Sequence, residues 1–303
     1  MNKPVTPSPA VRGEEHWTSK GDDVRLFLFE KYAGEPCGPA GRILFVHGSS
    51  MASQPTFDLQ VPGRPDSSVM DWFAARGFDC WCVDMEGYGR STKDRDNNAP
   101  IAQGADDCFA AASYIAKLRG ERPLLVYGIS SGALRAALFA ERHPEMVKRL
   151  ALDAMVWTGA GSPTLVERRK KLPEFQSKNR RPIDRAFVQS IFERDHAGTA
   201  DTEVVEAFAD AILAVDDSVP TGTYVDMCAR LPVIDPLKIT VPTLMIGARY
   251  DTNDPNNLAW MAKTVKDGQF LYCPNGSHLA MYDDQKTYFT GLIRFLQTTA
   301  ARH

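Results

Sequence analysis

The chain has 303 residues, a formal net charge of −3 at pH 7 and 44% hydrophobic residues. This length fits one large α/β domain, with or without an insertion, and the hydrophobic share is ordinary for a globular protein. The small negative charge gives no basis for binding nucleic acid or an anionic membrane surface, and no apolar run is long enough to cross a bilayer. We therefore expect a small-molecule partner, with no nucleic acid and no membrane, and leave open whether the protein forms a homo-oligomer.

The N-terminus is polar and rich in proline, without the apolar stretch of a secretory signal, so residues 1–23 are predicted to be a flexible lead. The six cysteines form no CxxC pair and lie in apolar segments. This favours buried free thiols in the cytoplasm over disulfides or a zinc site. The six histidines form no HExxH or similar pattern, so neither a metal nor another cofactor is implied.

Apolar runs alternate with amphipathic segments along most of the chain. Strands are predicted at residues 24–32, 42–46, 78–84, 124–129, 149–154, 242–248 and 269–273. Helices are predicted at residues 66–76, 101–119, 133–140, 184–194, 201–215, 257–263 and 287–297. Nearly continuous apolar strands separated by helices indicate a parallel sheet covered on both faces. The alternation stops between about residues 155 and 238, which we interpret as a helical insertion.

The strand at residues 124–129 runs directly into a helix through the sequence Gly-Ile-Ser-Ser-Gly at residues 128–132. The pattern G-x-S-x-G describes a sharp strand-to-helix turn that exposes its serine, here Ser130, in a strained conformation. Gly128 and Gly132 are expected because a side chain at either position would collide with the neighbouring strand or helix. The N-terminus of the helix favours developing negative charge, so Ser130 is predicted to attack a carbonyl carbon.

Five motifs follow one another along the chain: VHGSS at 46–50, DMEGYGRS at 84–91, GISSG at 128–132, TLMIGA at 243–248 before an acidic loop, and GSH at 276–278. In these motifs and their order, residues 24–298 resemble a capped serine hydrolase of the α/β-hydrolase superfamily. One departure is Ala248, where the family often has glycine. The resemblance implies a mostly parallel central sheet flanked by helices. It also implies a core of residues 24–154 and 239–303 and an inserted helical cap of residues 155–238.

A serine hydroxyl needs a histidine base that is itself oriented by a carboxylate, and in this fold they follow in the order Ser, Asp or Glu, His. The resemblance implies that His278 is the base. Two acids follow the strand that ends at residue 248. Asp254 precedes Pro255 and a predicted helix, which is the pattern of a helix N-cap. Asp251 is therefore favoured as the orienting acid, and Asp254 is the alternative.

The tetrahedral intermediate of acyl transfer needs two backbone donors for its oxyanion. The resemblance implies the amide of Ser131 and an amide of the turn after His47, namely Ser49, with Ser50 as the alternative. His47 itself is expected to orient this turn through hydrogen bonds and not to act as a second base. The candidate substrate contacts are Ser50, Tyr88 and Trp157.

The insertion is expected to shape the substrate pocket. Its aromatic and methionine side chains are candidates for the lining, although most residues at helical spacing form an element's own core: Trp157, Phe187, Phe192, Phe208, Tyr224 and Met227. A basic run at residues 168–171, with Arg180 and Arg181, is typical of a solvated face. A second hypothesis is that one of these arginines binds a carboxylate on an otherwise apolar ester.

The resemblance implies a cofactor-independent serine hydrolase that cleaves an ester or lactone of a small, largely apolar substrate through an acyl-enzyme on Ser130. Two alternatives use the same residues: carbon–carbon hydrolysis of a ring-cleavage diketone, and acyl transfer to an alcohol other than water. A non-catalytic ligand-binding protein is a different class, disfavoured because no triad member is missing. Epoxide hydrolases and haloalkane dehalogenases are also disfavoured, because those relatives place aspartate where Ser130 stands.

Overall fold

The computed structural model describes residues 10–36, 38–251 and 255–298. Within these residues the strands are β1 (Val11–Lys20), β2 (Val24–Ala33), β3 (Gly41–Val46), β4 (Phe78–Val83), β5 (Leu124–Ile129), β6 (Val147–Asp153), β7 (Arg180–Pro182), β8 (Ser218–Pro220), β9 (Thr243–Ala248) and β10 (Gly268–Cys273). The helices are α1 (Ser53–Phe57), α2 (Val69–Ala74), α3 (Ile101–Arg119), α4 (Ser131–Arg142), α5 (Pro163–Lys170), α6 (Leu172–Ser177), α7 (Arg185–Glu193), α8 (Thr202–Leu213), α9 (Gly222–Ala229), α10 (Pro255–Thr264), α11 (Ala280–Asp283) and α12 (Gln285–Gln297). Across these described helices, none combines the length and the apolar character that a bilayer crossing requires.

Eight strands form one sheet in the order β1-β2-β4-β3-β5-β6-β9-β10. β2 pairs antiparallel with both β1 and β4, and the remaining pairs in this sheet are parallel. Every residue of β4, β5 and β9 is buried, because helices cover both faces of the parallel part of the sheet. The predicted α/β-hydrolase fold, with a mostly parallel sheet flanked by helices, is therefore confirmed.

The first strand corrects the prediction that residues 1–23 are a flexible lead. Residues 11–20 form β1, which pairs with β2 along its whole length. Its sequence is polar, so hydrophobic periodicity did not reveal it, and tertiary contacts stabilise it instead. His16 Nε2 lies 2.9 Å from a carboxylate oxygen of Glu30, and the His16 ring packs 4.7 Å from the ring of Trp81. Residues 1–9 lie outside the described residues.

The chain between β6 and β9, residues 154–242, is called the inserted segment below. It contains helices α5 to α9 and the antiparallel ribbon of β7 and β8. The predicted helices at 184–194 and 201–215 correspond to α7 and α8. The rings of Phe192 and Phe208 meet edge to face with 5.2 Å between centroids, and both also lie 6.0 Å from the ring of Tyr282 in α11. These two side chains therefore pack against each other and against the sheet-bearing part of the chain. The division of the chain into a core and a separate cap domain stays a prediction.

Candidate active site

The predicted motifs lie at the carboxyl ends of parallel strands. β3 runs into the turn after His47, β5 into Ser130, β9 into the loop that carries Asp251, and β10 into the loop that carries His278. Because parallel strands end at the same edge of a sheet, these loops meet there. Ligand sites of open α/β sheets lie at that edge.

Ser130 lies between β5 and α4 with φ 58° and ψ −125°, a conformation that non-glycine residues rarely adopt. Its backbone N–H donates to the carbonyl of Asp153 at 2.8 Å. A Cβ at Gly128 would lie 2.4 Å from the carbonyl oxygen of Gly132, and a Cβ at Gly132 would lie 2.3 Å from the carbonyl oxygen of Val46. These contacts confirm why both positions flanking the serine need glycine.

His278 and Asp251 are in direct contact. The Nδ1 atom of His278 lies 2.7 Å from Oδ1 of Asp251, and both side chains are buried. Their loops are held together by backbone hydrogen bonds, from Tyr250 N–H to the carbonyl of Gly276 at 3.0 Å and from Arg249 N–H to that of Cys273 at 3.1 Å. The alternative acid, Asp254, lies outside the described residues.

The loop before α11 is held by two carboxylates that sequence reasoning missed. The N–H of Ser277 lies 3.1 and 3.0 Å from the two carboxylate oxygens of Asp283, and the N–H of Asn275 donates to Asp284 at 3.1 Å. These bonds fix the backbone on the N-terminal side of His278. The sequence signal is the Asp-Asp pair that follows the apolar stretch after His278.

Ser130 and His278 line the same small cavity, which has a volume of about 20 Å³. That volume holds roughly one water molecule. The inserted segment supplies all of its other lining residues: Ala154, Val156, Ser162, Thr164, Leu165, Arg168, Arg194 and Met227. Of the residues predicted to line a substrate pocket, Met227 therefore shares this cavity with Ser130.

The ring of His47 supports the turn that follows β3. Its Nε2 accepts the N–H of Met85 at 3.0 Å, and its Nδ1 lies 2.7 Å from the carbonyl oxygen of Gly48. Burial, together with the nearby charge of Arg135, holds the pKa of His47 well below its usual range, so the ring is neutral. A Cβ at Gly48 would lie 3.3 Å from Cβ of Ser130, which shows how closely this turn approaches the nucleophile position.

The residues predicted for the oxyanion lie at the start of α4 and in the turn after β3. Ser131 is the first residue of α4, where backbone N–H groups have no acceptor within the helix. The carbonyl of Ser49 accepts from the hydroxyl of Tyr88 at 3.3 Å and from Nη2 of Arg181 at 3.2 Å. The same Arg181 atom donates to the Ser50 hydroxyl at 2.6 Å. Two parts of the chain thus hold this turn: the loop after β4, through Tyr88, and the inserted segment, through Arg181.

Two of the candidate substrate contacts lie away from the small cavity. The ring of Tyr88 is fully buried against His47, with 4.7 Å between centroids, and its hydroxyl accepts from Nη2 of Arg135 at 3.3 Å. Trp157 stacks on Trp260 with 4.7 Å between centroids and an interplanar angle of 17°. Neither residue lines the cavity that contains Ser130. Their predicted contact with substrate stays a prediction.

Asp153, at the end of β6, is a second buried carboxyl group that the sequence analysis did not single out. It accepts a hydrogen bond from the hydroxyl of Tyr127 at 2.6 Å. Burial raises the pKa of Asp153 to about 8, and the charge of Asp251 adds to this effect. Asp153 is therefore protonated at neutral pH and places no second negative charge beside Asp251. An aspartate directly after the apolar run at residues 150–152 is the signal that could have revealed it.

The raised pKa of Asp153 predicts how stability depends on pH. The unfolded chain releases this proton near pH 3.8 and the folded protein near pH 8, so the folded state holds one more proton between these values. The free energy of unfolding therefore falls as pH rises through that window, by at most about 4 kcal/mol between pH 5 and pH 8. We expect Asp153→Asn, which still accepts from Tyr127, to lose this contribution. Chemical denaturation of both proteins across this range checks it, and parallel pH profiles would contradict it.

The family model described as serine aminopeptidase, S33, matches residues 39–285. A proline iminopeptidase of Flavobacterium johnsoniae is 61% identical over 59 residues, which is 20% of each chain. A proline iminopeptidase of Elizabethkingia meningoseptica is 34% identical over 199 residues, which is 57% of this chain and 64% of that protein. An esterase structure from Thermogutta terrifontis has a TM-score of 0.69 at 19% identity and covers 94% of this chain and 100% of that one.

These comparisons differ in what they establish. The chain spans a fifth of the first curated relative and just under two thirds of the second. The esterase structure, at its low identity, shows the fold alone. The family model, by contrast, covers most of the chain, including Ser130, Asp251 and His278. The chain therefore belongs to the serine aminopeptidase S33 family, a group of hydrolases within the α/β-hydrolase superfamily.

Proposed function

We propose that this protein is a serine hydrolase that cleaves an ester or lactone of a small substrate, with Ser130 as nucleophile, His278 as base and Asp251 as orienting acid. The observation that carries the proposal is the 2.7 Å contact between His278 Nδ1 and Asp251 Oδ1, with His278 and Ser130 on the same cavity. Because Nδ1 contacts Asp251, Nε2 of His278 is the ring nitrogen left to accept the proton of the Ser130 hydroxyl. The arrangement has the three roles that activate a serine: nucleophile, base and orienting carboxylate.

In the first step, Oγ of Ser130 bonds to the carbonyl carbon of the substrate while its proton passes to Nε2 of His278. The carbonyl oxygen becomes an oxyanion, for which we propose the backbone amides of Ser131 and Ser49 as donors. Each such donor contributes on the order of 3 kcal/mol to the transition state. Asp251 stabilises the imidazolium that forms, because its carboxylate accepts the hydrogen on Nδ1.

In the second step, the tetrahedral intermediate collapses and the bond to the leaving oxygen breaks. His278 gives its proton to that oxygen, and the acyl group stays on Ser130. Water then attacks the acyl-enzyme while His278 again takes a proton, and the serine is restored when the acid leaves. In a lactone the leaving alcohol stays attached to the acyl group, so a single hydroxy acid is released.

A second candidate is a peptidase that acts at a free N-terminus, because the curated relatives are named proline iminopeptidases. Such a substrate carries a cation, which carboxylates would bind. The described residues that line the cavity around Ser130 include Arg168 and Arg194 but no Asp or Glu. Arg194 is paired with Asp195 at 3.2 Å, and Arg168 has no such partner among the described residues. This electrostatic setting favours a neutral or anionic substrate over a cationic one.

The test compares substrates of the two classes on the wild-type protein. It measures kcat/KM on p-nitrophenyl esters of increasing acyl length, simple lactones, a ring-cleavage diketone and proline p-nitroanilide. A fluorophosphonate label is located by mass spectrometry. We expect labelling at Ser130 and higher kcat/KM on esters or lactones than on the anilide. A higher kcat/KM on the anilide than on the esters and lactones would move the function to the peptidase. Turnover of the diketone alone would move it to carbon–carbon hydrolysis. If no residue is labelled and no substrate is turned over, the hydrolase proposal is overturned.

We also propose that the protein works in a reducing compartment, as expected for the cytoplasm. Five cysteines in the described chain have free, buried thiols: Cys80, Cys82, Cys108, Cys228 and Cys273. Burial raises the pKa of the Cys82 and Cys108 thiols, which keeps them protonated and unreactive. Cys37 lies outside the described residues.

A further inference from the structure

The inserted segment contains a second cavity of about 390 Å³, much larger than the cavity at Ser130. Its walls combine cations with aromatic rings: Arg168, Lys171, Arg181, Phe175, Phe187 and Tyr224. Arg168 is among the lining residues of both cavities, so this one side chain lies between the larger space and the space at Ser130. This volume falls in the range of small-molecule sites, whereas the cavity at Ser130 alone does not.

The cations of the larger cavity have no carboxylate partners among the described residues. In the part of the chain that the structure describes, no carboxylate forms an ion pair with Arg168, Lys171 or Arg181. Two acids also reach the cavity, but both are paired with lysines of the same helical region. Glu167 lies 2.6 Å from Lys170, and Glu174 lies 2.9 Å from Lys178. The cavity therefore has an excess of positive charge.

Arg181 is the more deeply buried of the two arginines, with 7% of its surface exposed. Its Nη2 atom donates to Ser49 and Ser50, while its Nε atom has no hydrogen-bond partner among the described residues. A buried charge without a counter-ion is unfavourable, and a bound anion would offset that cost.

Both guanidinium groups lie against one aromatic ring. The guanidinium carbon of Arg181 is 3.9 Å from the ring centroid of Tyr224, and that of Arg168 is 4.3 Å from it. Each contact is favourable by itself, but two like charges on one ring repel each other. Burial alone would raise the pKa of Tyr224, yet the charges of Arg168 and Arg181 lower it to about 7. The surroundings of this ring thus favour negative charge.

We infer that the larger cavity binds a carboxylate of the substrate, with Arg168 as its main partner and the scissile carbonyl at Ser130. The inference rests on the proposed function and names its substrate class: esters whose acyl group ends in a carboxylate, such as half-esters of short dicarboxylic acids. The planar guanidinium of Arg168, which makes no hydrogen bond or ion pair within the described part of the chain, matches a carboxylate through two parallel hydrogen bonds. Arg181 is already bonded to the turn of Ser49 and Ser50, so it adds charge and holds the turn.

The test pairs each charged ester with a neutral ester of nearly the same shape. Mono-p-nitrophenyl esters of glutarate, adipate and pimelate are compared with esters in which an isopropyl group replaces the carboxylate. The wild type is expected to prefer the best charged ester by about 10- to 100-fold in kcat/KM, as a charged hydrogen bond implies. Arg168→Met should reduce this preference to near unity, and Arg168→Lys should restore only part of it. Arg169→Met, on the same helix but lining neither cavity, should keep the wild-type preference.

A second measurement does not depend on turnover. Calorimetric titration of the wild type with free adipate should show binding that Arg168→Met loses and Arg169→Met keeps. If Ser130 is labelled by fluorophosphonate but the wild type shows no preference for charged esters, the carboxylate site is wrong and the hydrolase stands. If no ester is hydrolysed, the titration alone decides, and absence of adipate binding overturns the inference. Tighter binding of inorganic phosphate than of adipate would also overturn the assignment to a carboxylate.

Discussion

Ser130→Ala is expected to lower kcat for the best ester by on the order of 10⁶-fold, since the variant lacks the hydroxyl that we propose forms the acyl-enzyme. The residual rate would come from substrate binding and from the oxyanion donors, which the substitution leaves in place. His278→Ala should cost nearly as much. The double variant should be hardly worse than either single variant, because the two groups act as one unit. Steady-state kinetics on the ester identified by the panel would measure all three variants.

The control for this prediction is Ser113→Ala, a serine of α3 that does not line the cavity at Ser130. It should retain both ester turnover and fluorophosphonate labelling, and circular dichroism should show that each variant is folded. A Ser130→Ala protein that keeps more than about a hundredth of the wild-type rate would show that another group attacks the substrate. The nucleophile assignment would then be wrong, whatever the geometry of the turn.

Asp251→Asn is expected to lower kcat by about 10⁴-fold, the loss typical when the orienting aspartate of a serine triad becomes an amide. The amide would keep the shape of the side chain. It would no longer stabilise the imidazolium of His278, and it would favour the wrong tautomer of the ring. The contact that would be altered is the 2.7 Å hydrogen bond between Asp251 Oδ1 and His278 Nδ1. KM should change far less than kcat, because Asp251 is buried behind the histidine and does not line the cavity.

Asp254→Asn is the matched comparison, because Asp254 is the other acid that follows β9. It should reduce kcat by less than about tenfold, since the sequence predicts a helix N-cap at Asp254 and asparagine caps equally well. The reverse result, a large loss in Asp254→Asn and a small one in Asp251→Asn, would transfer the acid role to Asp254. Equal large losses would indicate that the two acids support one loop conformation.

Several parts of the fold follow from local sequence pattern. The strands at 124–129 and 243–248 are apolar apart from Thr243, as burial on both faces of a parallel sheet favours. The structure buries every residue of both strands and gives each a neighbouring strand on either side. Helix α3 occupies the predicted residues, because Ala-rich sequence between Pro100 and Gly120 has clear start and stop signals. The strand β1 has no such pattern. Its polar residues are stabilised by partners far along the chain, among them Trp81, so local reading misassigned it.

The residues of the candidate site also differ in whether a local sequence pattern or a tertiary contact identifies them. The G-x-S-x-G turn is a local motif, and its two glycines are needed for contacts that the motif itself implies, so Ser130 could be predicted from the sequence. The choice of Asp251 was a preference between two neighbouring acids. Its contact with His278 depends on the spacing of β9 and β10, which are adjacent and parallel. The protonated state of Asp153 depends on burial and on the charge of Asp251, neither of which a sequence window contains.

The sequence by itself determined the fold class, the order of the motifs and the turn that holds Ser130, because each of these depends on patterns within one element or one turn. The tertiary structure alone decided which arginines of the basic run face a cavity and which face solvent. Arg168 and Arg181 lie thirteen positions apart in the chain, yet both contact Tyr224, whereas Lys170 pairs with Glu167 on an exposed face. Burial and unpaired charge arise only when distant segments pack together, and the proposed carboxylate site depends on both of these properties.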